Sequence, residues 1–387
     1  MRNANKQVFG KTKNLGLYLH IPFCRSKCLY CDFCSFPRPQ PSVMEAYTEV
    51  LIRDLKEKSS LCGDYIVDTV YFGGGTPTVL PPHLLERILR TVFDCYRVSS
   101  QAEITAECNP ATQSEALFLQ MRAAGFNRLS IGMQSAHSAE LRALGRIHTF
   151  ADCAQTVAEA RRAGFENLSL DVMFGIPEQT EESFLQTLDM AMDLDPAHIS
   201  AYGLIIEEGT PFYRMESKLN LPDEDASERM YFQLIEHLGA RGWKQYEISN
   251  FAKEGYESRH NLKYWRCEEY LGFGPAAHSD FCGVRFGNSR DLTAYIEGGN
   301  ILEEQNRIDI EERKNEYVML GMRLAEGVCA KAFEERFGEP FEDRFGARLR
   351  RYVEGGFVRL SGSGAAFTPR GMYVSNAILS DILDFPN

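Results

Sequence analysis

Tyr18-Leu19-His20-Ile21-Pro22-Phe23-Cys24-Arg25-Ser26-Lys27-Cys28-Leu29-Tyr30-Cys31-Asp32-Phe33-Cys34 gathers four of the chain's 11 cysteines into one short stretch. The other seven, Cys62, Cys95, Cys108, Cys153, Cys267, Cys282 and Cys329, are scattered and read as free thiols that pack like small apolar groups. Thiolates on one short loop can reach several irons of a single iron–sulfur cluster. The Cys24, Cys28, Cys31 spacing lets one loop hold three irons and leave a fourth without a protein ligand. Structural zinc is a second reading, but it usually takes four ligands in two paired units, and no second pair occurs here. Chance clustering of buried cysteines is a third. Cys34 suits either a fourth ligand or a nearby free thiol, and an open iron with a use favours the free thiol.

Outward from this loop, short β-like runs alternate with amphipathic helices up to about residue 205. The strand candidates are Leu15–Ile21, Thr69–Phe72, Glu103–Glu107, Arg128–Gly132, Leu168–Met173 and His198–Tyr202. Ser42 with Glu45, and Thr112 with Glu115, read as capping boxes that start helices. Gly125 stands where a helix would stop. Leu84, Leu85, Ile88, Leu89, Val92 and Phe93 share one face of a helix after Pro82. Six strand–helix units imply a parallel sheet with right-handed crossovers.

Residues 206–224 break the rhythm, and a helix at about 225–240 and a strand at Lys244–Ile248 follow. Residues 251–310 read as irregular, rich in glycine and aromatics. From 311 to 387 the order is three helices, a Gly-Ser-Gly hairpin over Phe357–Phe367, and a last helix. That order predicts a small winged-helix-like domain. The expected organisation is a segment at 1–14, a barrel at 15–250, the irregular stretch and this C-terminal unit.

The net charge of −12 argues against broad nucleic-acid binding or an anionic membrane surface. No run of 18 or more apolar residues occurs, so no membrane span is expected. The first residues carry no apolar signal core. A cytoplasmic location follows as the expectation.

In parallel β/α barrels the site forms at the C-terminal ends of the strands. The first strand candidate ends at the cysteine loop. The second ends at Gly73-Gly74-Gly75-Thr76-Pro77, where glycines admit close backbone approach. Glu107, Gln134 and Asp171 end the third, fourth and fifth, and Arg146 follows Gln134. Each alone reads as a cap or surface group. Their recurrence at successive strand ends favours a rolled sheet that brings them to one rim.

These segments together resemble the radical S-adenosylmethionine (SAM) superfamily, and more closely the oxygen-independent coproporphyrinogen III oxidase family. The resemblance rests on Tyr18-x-His20-Ile-Pro-Phe-Cys24, GGGTP at 73–77, Arg128-Leu-Ser-Ile-Gly-Met-Gln134 and Asp171-Val-Met-Phe-Gly-Ile-Pro177, and it covers nearly the whole chain. It implies a partial (β/α)6 TIM-like α/β barrel with the C-terminal winged-helix-like domain. It also implies a [4Fe–4S] cluster on Cys24, Cys28 and Cys31. SAM contacts are implied at Tyr18, Tyr30, Gly74, Gly75, Thr76, Glu107, Gln134, Arg146 and Asp171. Carboxylate and amide acceptors suit ribose hydroxyls and an ammonium, and the Arg146 fork suits a carboxylate.

Within that family, the short segment before Cys24 and the CxxC spacing from Cys31 to Cys34 resemble the heme-chaperone branch. His260-Asn261-Leu-Lys-Tyr264-Trp265 resembles that branch's HNxxYW motif, which implies His260 as a ligand to heme iron. His278 is a second candidate. A histidine hydrogen-bonded inside a loop is the bland alternative. The branch implies heme, acceptor hemoproteins and a cytosolic electron donor as partners. The other expectation is the oxidase itself, converting coproporphyrinogen III to protoporphyrinogen IX, and whether the chain is an enzyme stays open at this point.

Overall fold

In the computed structural model, residues 13–110, 114–298 and 302–384 are described. All but the last two residues of the 1–14 segment, and the helix-starting role given to Thr112, lie outside them. Six strands form the centre: β1 (Lys13–Ile21), β2 (Tyr65–Gly74), β3 (Val98–Cys108), β4 (Arg128–Gln134), β5 (Asn167–Phe174) and β6 (His198–Gly203). Each pairs in parallel with the next. Parallel neighbours need a crossover, and helices supply it outside the sheet.

Residue alternation decides which face meets those helices. Leu15, Leu17, Leu19, Ile21, Val70, Phe72, Ile104, Leu129, Ile131, Leu168, Leu170 and Ile199 point outward into one buried apolar core. The intervening positions are polar and face inward. Thr69 reaches His260, Tyr71 reaches Glu107, Ser130 reaches Asp171, and Ser169 reaches His198. The inner face therefore carries hydrogen bonds instead of a dry filling.

The rolled sheet is not closed by hydrogen bonds. Among the described residues it has twelve strands, with Leu302–Arg307 at one edge and Lys244–Gln245 at the other. Beyond β1 come Tyr270–Phe273, His278–Phe281, Val284–Asn288 and Leu302–Arg307. The stretch expected to be irregular thus carries these four strands and two short helices, Arg259–Trp265 and Leu292–Gly298. Its strands are too short to show a period in sequence. The strand expected at Lys244–Ile248 is cut to Lys244–Gln245, with Asn250–Ala252 turning back against β6.

Two helix starts also differ. Pro41–Ser59 begins after Gln40 with a proline in its first turn, which needs no capping bond there. Ser42 and Glu45 form no box, and Glu45 instead faces His83 and Arg87. Glu115–Ala124 is capped by Ser114, whose side chain accepts from Leu117 N, and it ends at Gly125 as expected. In Pro82–Cys95, Phe93 turns outward and is 43% exposed, while its five expected face-mates are buried.

The C-terminal unit has helices Ile310–Gly321, Ala330–Phe337 and Ala347–Glu354, then the hairpin Val358–Ser361 and Gly364–Phe367. Val328–Cys329 adds a third strand. The last helix expected is two, Pro369–Tyr373 and Ser375–Ile382. Phe333, Phe341, Phe345, Leu349, Phe367 and Ile382 belong to a second core, which also takes in Tyr231. The unit is winged-helix-like.

One glycine is fixed by both backbone and space. Gly74 has φ +106°, and a Cβ there would lie 2.4 Å from the His20 ring. Gly74→Ala combines left-handed strain with overpacking, so a loss of about 2 to 5 kcal/mol is expected. Denaturant titration of the two proteins checks this.

Candidate functional site at the strand ends

The cysteine loop is closed at its base by Phe23–Cys24 pairing with Phe36–Pro37. Leu29 N donates to Leu144 O at 3.1 Å, tying the loop to the far side of the rim. Cys24, Cys28 and Cys31 line one cavity of about 570 Å³. Cys34 lies on another cavity, with its Sγ donating to Arg290 O at 3.4 Å. Its carbonyl accepts from His20 Nε2 at 2.8 Å. Burial pushes the Cys24 and Cys31 thiols up from the ordinary range. Metal loading would therefore have to displace their protons.

The strand ends meet those thiols through a continuous polar chain. Cys24 Sγ lies 3.6 Å from Thr76 Oγ1, which accepts from Asn109 Nδ2 at 2.8 Å. Asn109 Oδ1 accepts from Arg146 Nη1 at 2.8 Å, and Arg146 Nη2 donates to Tyr30 OH at 2.8 Å. On the opposite wall, Glu107 accepts from Tyr71 OH at 2.8 Å and from Gly74 N at 3.1 Å. Burial pushes the Glu107 carboxyl up to about 7, which its hydrogen bonds offset only in part. Burial raises Asp171 too, while Ser130 Oγ donates to it at 2.9 Å. Gln134 has φ +65° and accepts from Tyr202 OH at 3.3 Å.

Seven of the nine residues expected around SAM line this cavity: Tyr30, Gly74, Gly75, Glu107, Gln134, Arg146 and Asp171. Thr76 is buried outside its lining and holds Cys24 and Asn109. Tyr18 lies on the cavity beside Cys34, its hydroxyl 3.0 Å from His20 Nδ1. Asn109, Ser130 and Tyr202 also line the strand-end cavity and were not anticipated, and Asn261 of the HNxxYW segment joins them. The polar alternation along β3 to β6 carried the signal for Ser130 and Tyr202.

The donor set fits a cluster with a polar ligand beside it. Among the described residues no three His, Cys, Asp or Glu groups converge on a point that would hold a single ion. The three thiols line the same cavity, where a cluster would take each at a separate corner. Arg146 Nε is buried with no hydrogen-bond partner, an orphan that a carboxylate would satisfy. The two buried carboxylates, Glu107 and Asp171, call for a cationic or hydroxylated ligand. Gly75 leaves no room for a side chain, since a Cβ would lie 2.6 Å from Phe23 O.

His260, expected as a ligand to heme iron, lies inside the barrel. It is 1% exposed. One ring nitrogen is 2.8 Å from Thr69 Oγ1 and the other 2.8 Å from Tyr264 OH. The ring stacks on Tyr71 at 5.2 Å between centroids. Its helix, Arg259–Trp265, is pinned from below, since Glu103 accepts from the backbone N–H groups of Arg259 and His260 at 3.1 Å. Burial pushes the imidazole pKa down to about 3. Both ring nitrogens thus have protein partners. His278 is exposed, 3.5 Å from Glu304.

A three-thiol loop over the polar rim of an open parallel barrel defines the radical SAM class of proteins. Residues 18–191 match the Radical SAM superfamily, and residues 308–374 match the HemN C-terminal domain. The heme chaperone HemW of Bacillus subtilis (strain 168) is 36% identical over 374 residues, covering 95% of this chain and 98% of that protein. HemW of Escherichia coli (strain K12) is 34% identical, covering 95% and 98%. The chain belongs to the HemW family. In solved structures, coproporphyrinogen III oxidase (HemN) of Escherichia coli shares the fold with a TM-score of 0.84, covering 97% of this chain and 91% of that one, at 22% identity.

Proposed function

We propose that the chain is a heme chaperone: it binds heme and hands it to acceptor hemoproteins, and it carries a [4Fe–4S] cluster and SAM at the strand ends. The observation that carries this is full-length similarity at 31–36% to several proteins named heme chaperone HemW. The likeness to the oxidase is at 22% and speaks for the fold alone. Cys24, Cys28 and Cys31 would hold the cluster. Gly74 and Gly75 would admit the amino-acid end of SAM, with Glu107 facing its ammonium and Arg146 its carboxylate. Gln134 and Asp171 would take the ribose hydroxyls. When bound, the cluster supplies one-electron chemistry and an open iron, with a cytosolic electron donor as the implied partner. No described helix is long and apolar enough to cross a membrane, and we place the protein in the cytoplasm.

The test uses one anaerobically reconstituted sample for two assays. Heme titration should show saturable binding. Incubation with coproporphyrinogen III, SAM and reductant should leave the substrate unchanged. Protoporphyrinogen IX in that assay would replace this reading with the oxidase.

SAM binding should also depend on pH through Glu107. Its folded pKa of about 7 lies above the ordinary 4.5. The folded state therefore keeps a proton that the unfolded chain gives up, and this group's contribution to stability falls as pH rises from 4.5 to about 7. An ammonium partner reverses that penalty. Only ionised Glu107 attracts it, so SAM should bind about fivefold tighter at pH 7 than at pH 6, while its amine remains mostly protonated. Calorimetric titration of the parent and Glu107→Gln reads this, and a flat profile in the variant alone is the expected result.

A further inference from the structure

The helix Arg259–Trp265 presents its two ends to different places. His260 points into the barrel, whereas Trp265 forms part of the wall of a cavity of about 970 Å³ against the C-terminal unit. Tyr317 shares that wall, and so does Cys329, an exposed thiol at the end of a short strand. The cavity is at the upper end of the range for small-molecule sites.

Its charges are unevenly paired. Two carboxylates on the lining are already engaged: Glu326 lies 3.0 Å from Arg266, and Glu268 lies 3.1 Å from Lys263. Two guanidiniums, Arg336 and Arg359, have no acidic partner among the described residues. Arg336 donates to the backbone carbonyls of Arg266 and Cys267, and Arg359 to that of Phe367. Arg336 also lies over the Tyr317 ring, 5.1 Å from its centroid. Two unpaired guanidiniums, two aromatic side chains and a thiol thus share one space.

We propose that this cavity seats heme, with its two propionates on Arg336 and Arg359, its porphyrin face against Trp265 and Tyr317, and Cys329 as the iron ligand. The proposal rests on the heme-chaperone reading and adds the place and the groups. Guanidinium forks match carboxylates, flat aromatic side chains cover a macrocycle, and thiolate is an established ligand to heme iron. The surplus of positive charge fits a ligand with two carboxylates. The same arrangement gives the C-terminal unit a task, because it supplies Tyr317, Cys329, Arg336 and Arg359. It also accounts for the HNxxYW segment without iron on its histidine: His260 and Tyr264 lock the helix, and Trp265 faces the ligand.

The experiment is a ferric heme titration of the full chain, followed by absorption. Cys329→Ser should move the Soret band and remove thiolate-type features. Arg336→Glu with Arg359→Glu should weaken binding at least tenfold. All three side chains are exposed, and the far-ultraviolet circular dichroism of each variant should match the parent. Parent-like spectrum and affinity in both variants would overturn this site while leaving the chaperone reading standing. A parent that binds no heme would overturn both.

Discussion

A chain with alanine at Cys24, Cys28 and Cys31 is expected to emerge from anaerobic reconstitution with no bound iron or acid-labile sulfide. The parent should hold about four irons, and Cys34→Ala should hold as many as the parent. The contrast follows from where the sulfurs lie. Three line the strand-end cavity, whereas Cys34 is turned onto another cavity and bonded to Arg290 O. Backbone bonds from Phe36 N to Pro22 O at 2.7 Å and from Arg38 N to Cys24 O at 2.9 Å hold the loop base without any sulfur. The triple variant should therefore keep its fold by circular dichroism. Iron and sulfide analysis decides, and equal loss of iron in Cys34→Ala would give that residue a ligand's role.

His260→Ala is expected to cost about 3 kcal/mol or more in stability and to leave the axial ligation of heme unchanged. Truncation leaves the Thr69 and Tyr264 hydroxyls without their partner and opens a space beside Tyr71. An unsatisfied buried polar group and a ring-sized cavity each contribute on this scale. Urea denaturation measures the first effect, and the spectrum of the heme-loaded variant measures the second. A variant with parental stability and altered iron ligation would put His260 back at the heme.

The parallel core was legible because its strand ends carry chemistry at regular intervals. Glu107, Gln134 and Asp171 could be placed on one rim from their positions after β-like runs. The alternation Glu103, Thr105, Glu107 and Arg128, Ser130, Gly132 separates the barrel interior from the helix-facing side. The extension of the sheet beyond β1 was not legible. Tyr270–Phe273 and His278–Phe281 are four residues each, and only their pairing across space makes them strands. His260 shows a different limit. A motif records which residues recur together, but Thr69 lies 191 positions away, and its contact with the imidazole could not be read from the motif. Tyr18 shows a similar dependence on contacts outside the motif, since its hydroxyl lies 3.0 Å from the His20 ring and it lines the cavity beside Cys34.

The most direct test of the account is hand-over of heme. The heme-loaded, reconstituted chain is mixed with an excess of an apo-hemoprotein, and the acceptor's absorption and activity are followed against free heme at the same concentration. The account predicts that the acceptor gains heme while the chain loses it, even with a competing scavenger that captures free heme. Heme that stays on the chain, or that reaches the acceptor only when no scavenger is present, would contradict it.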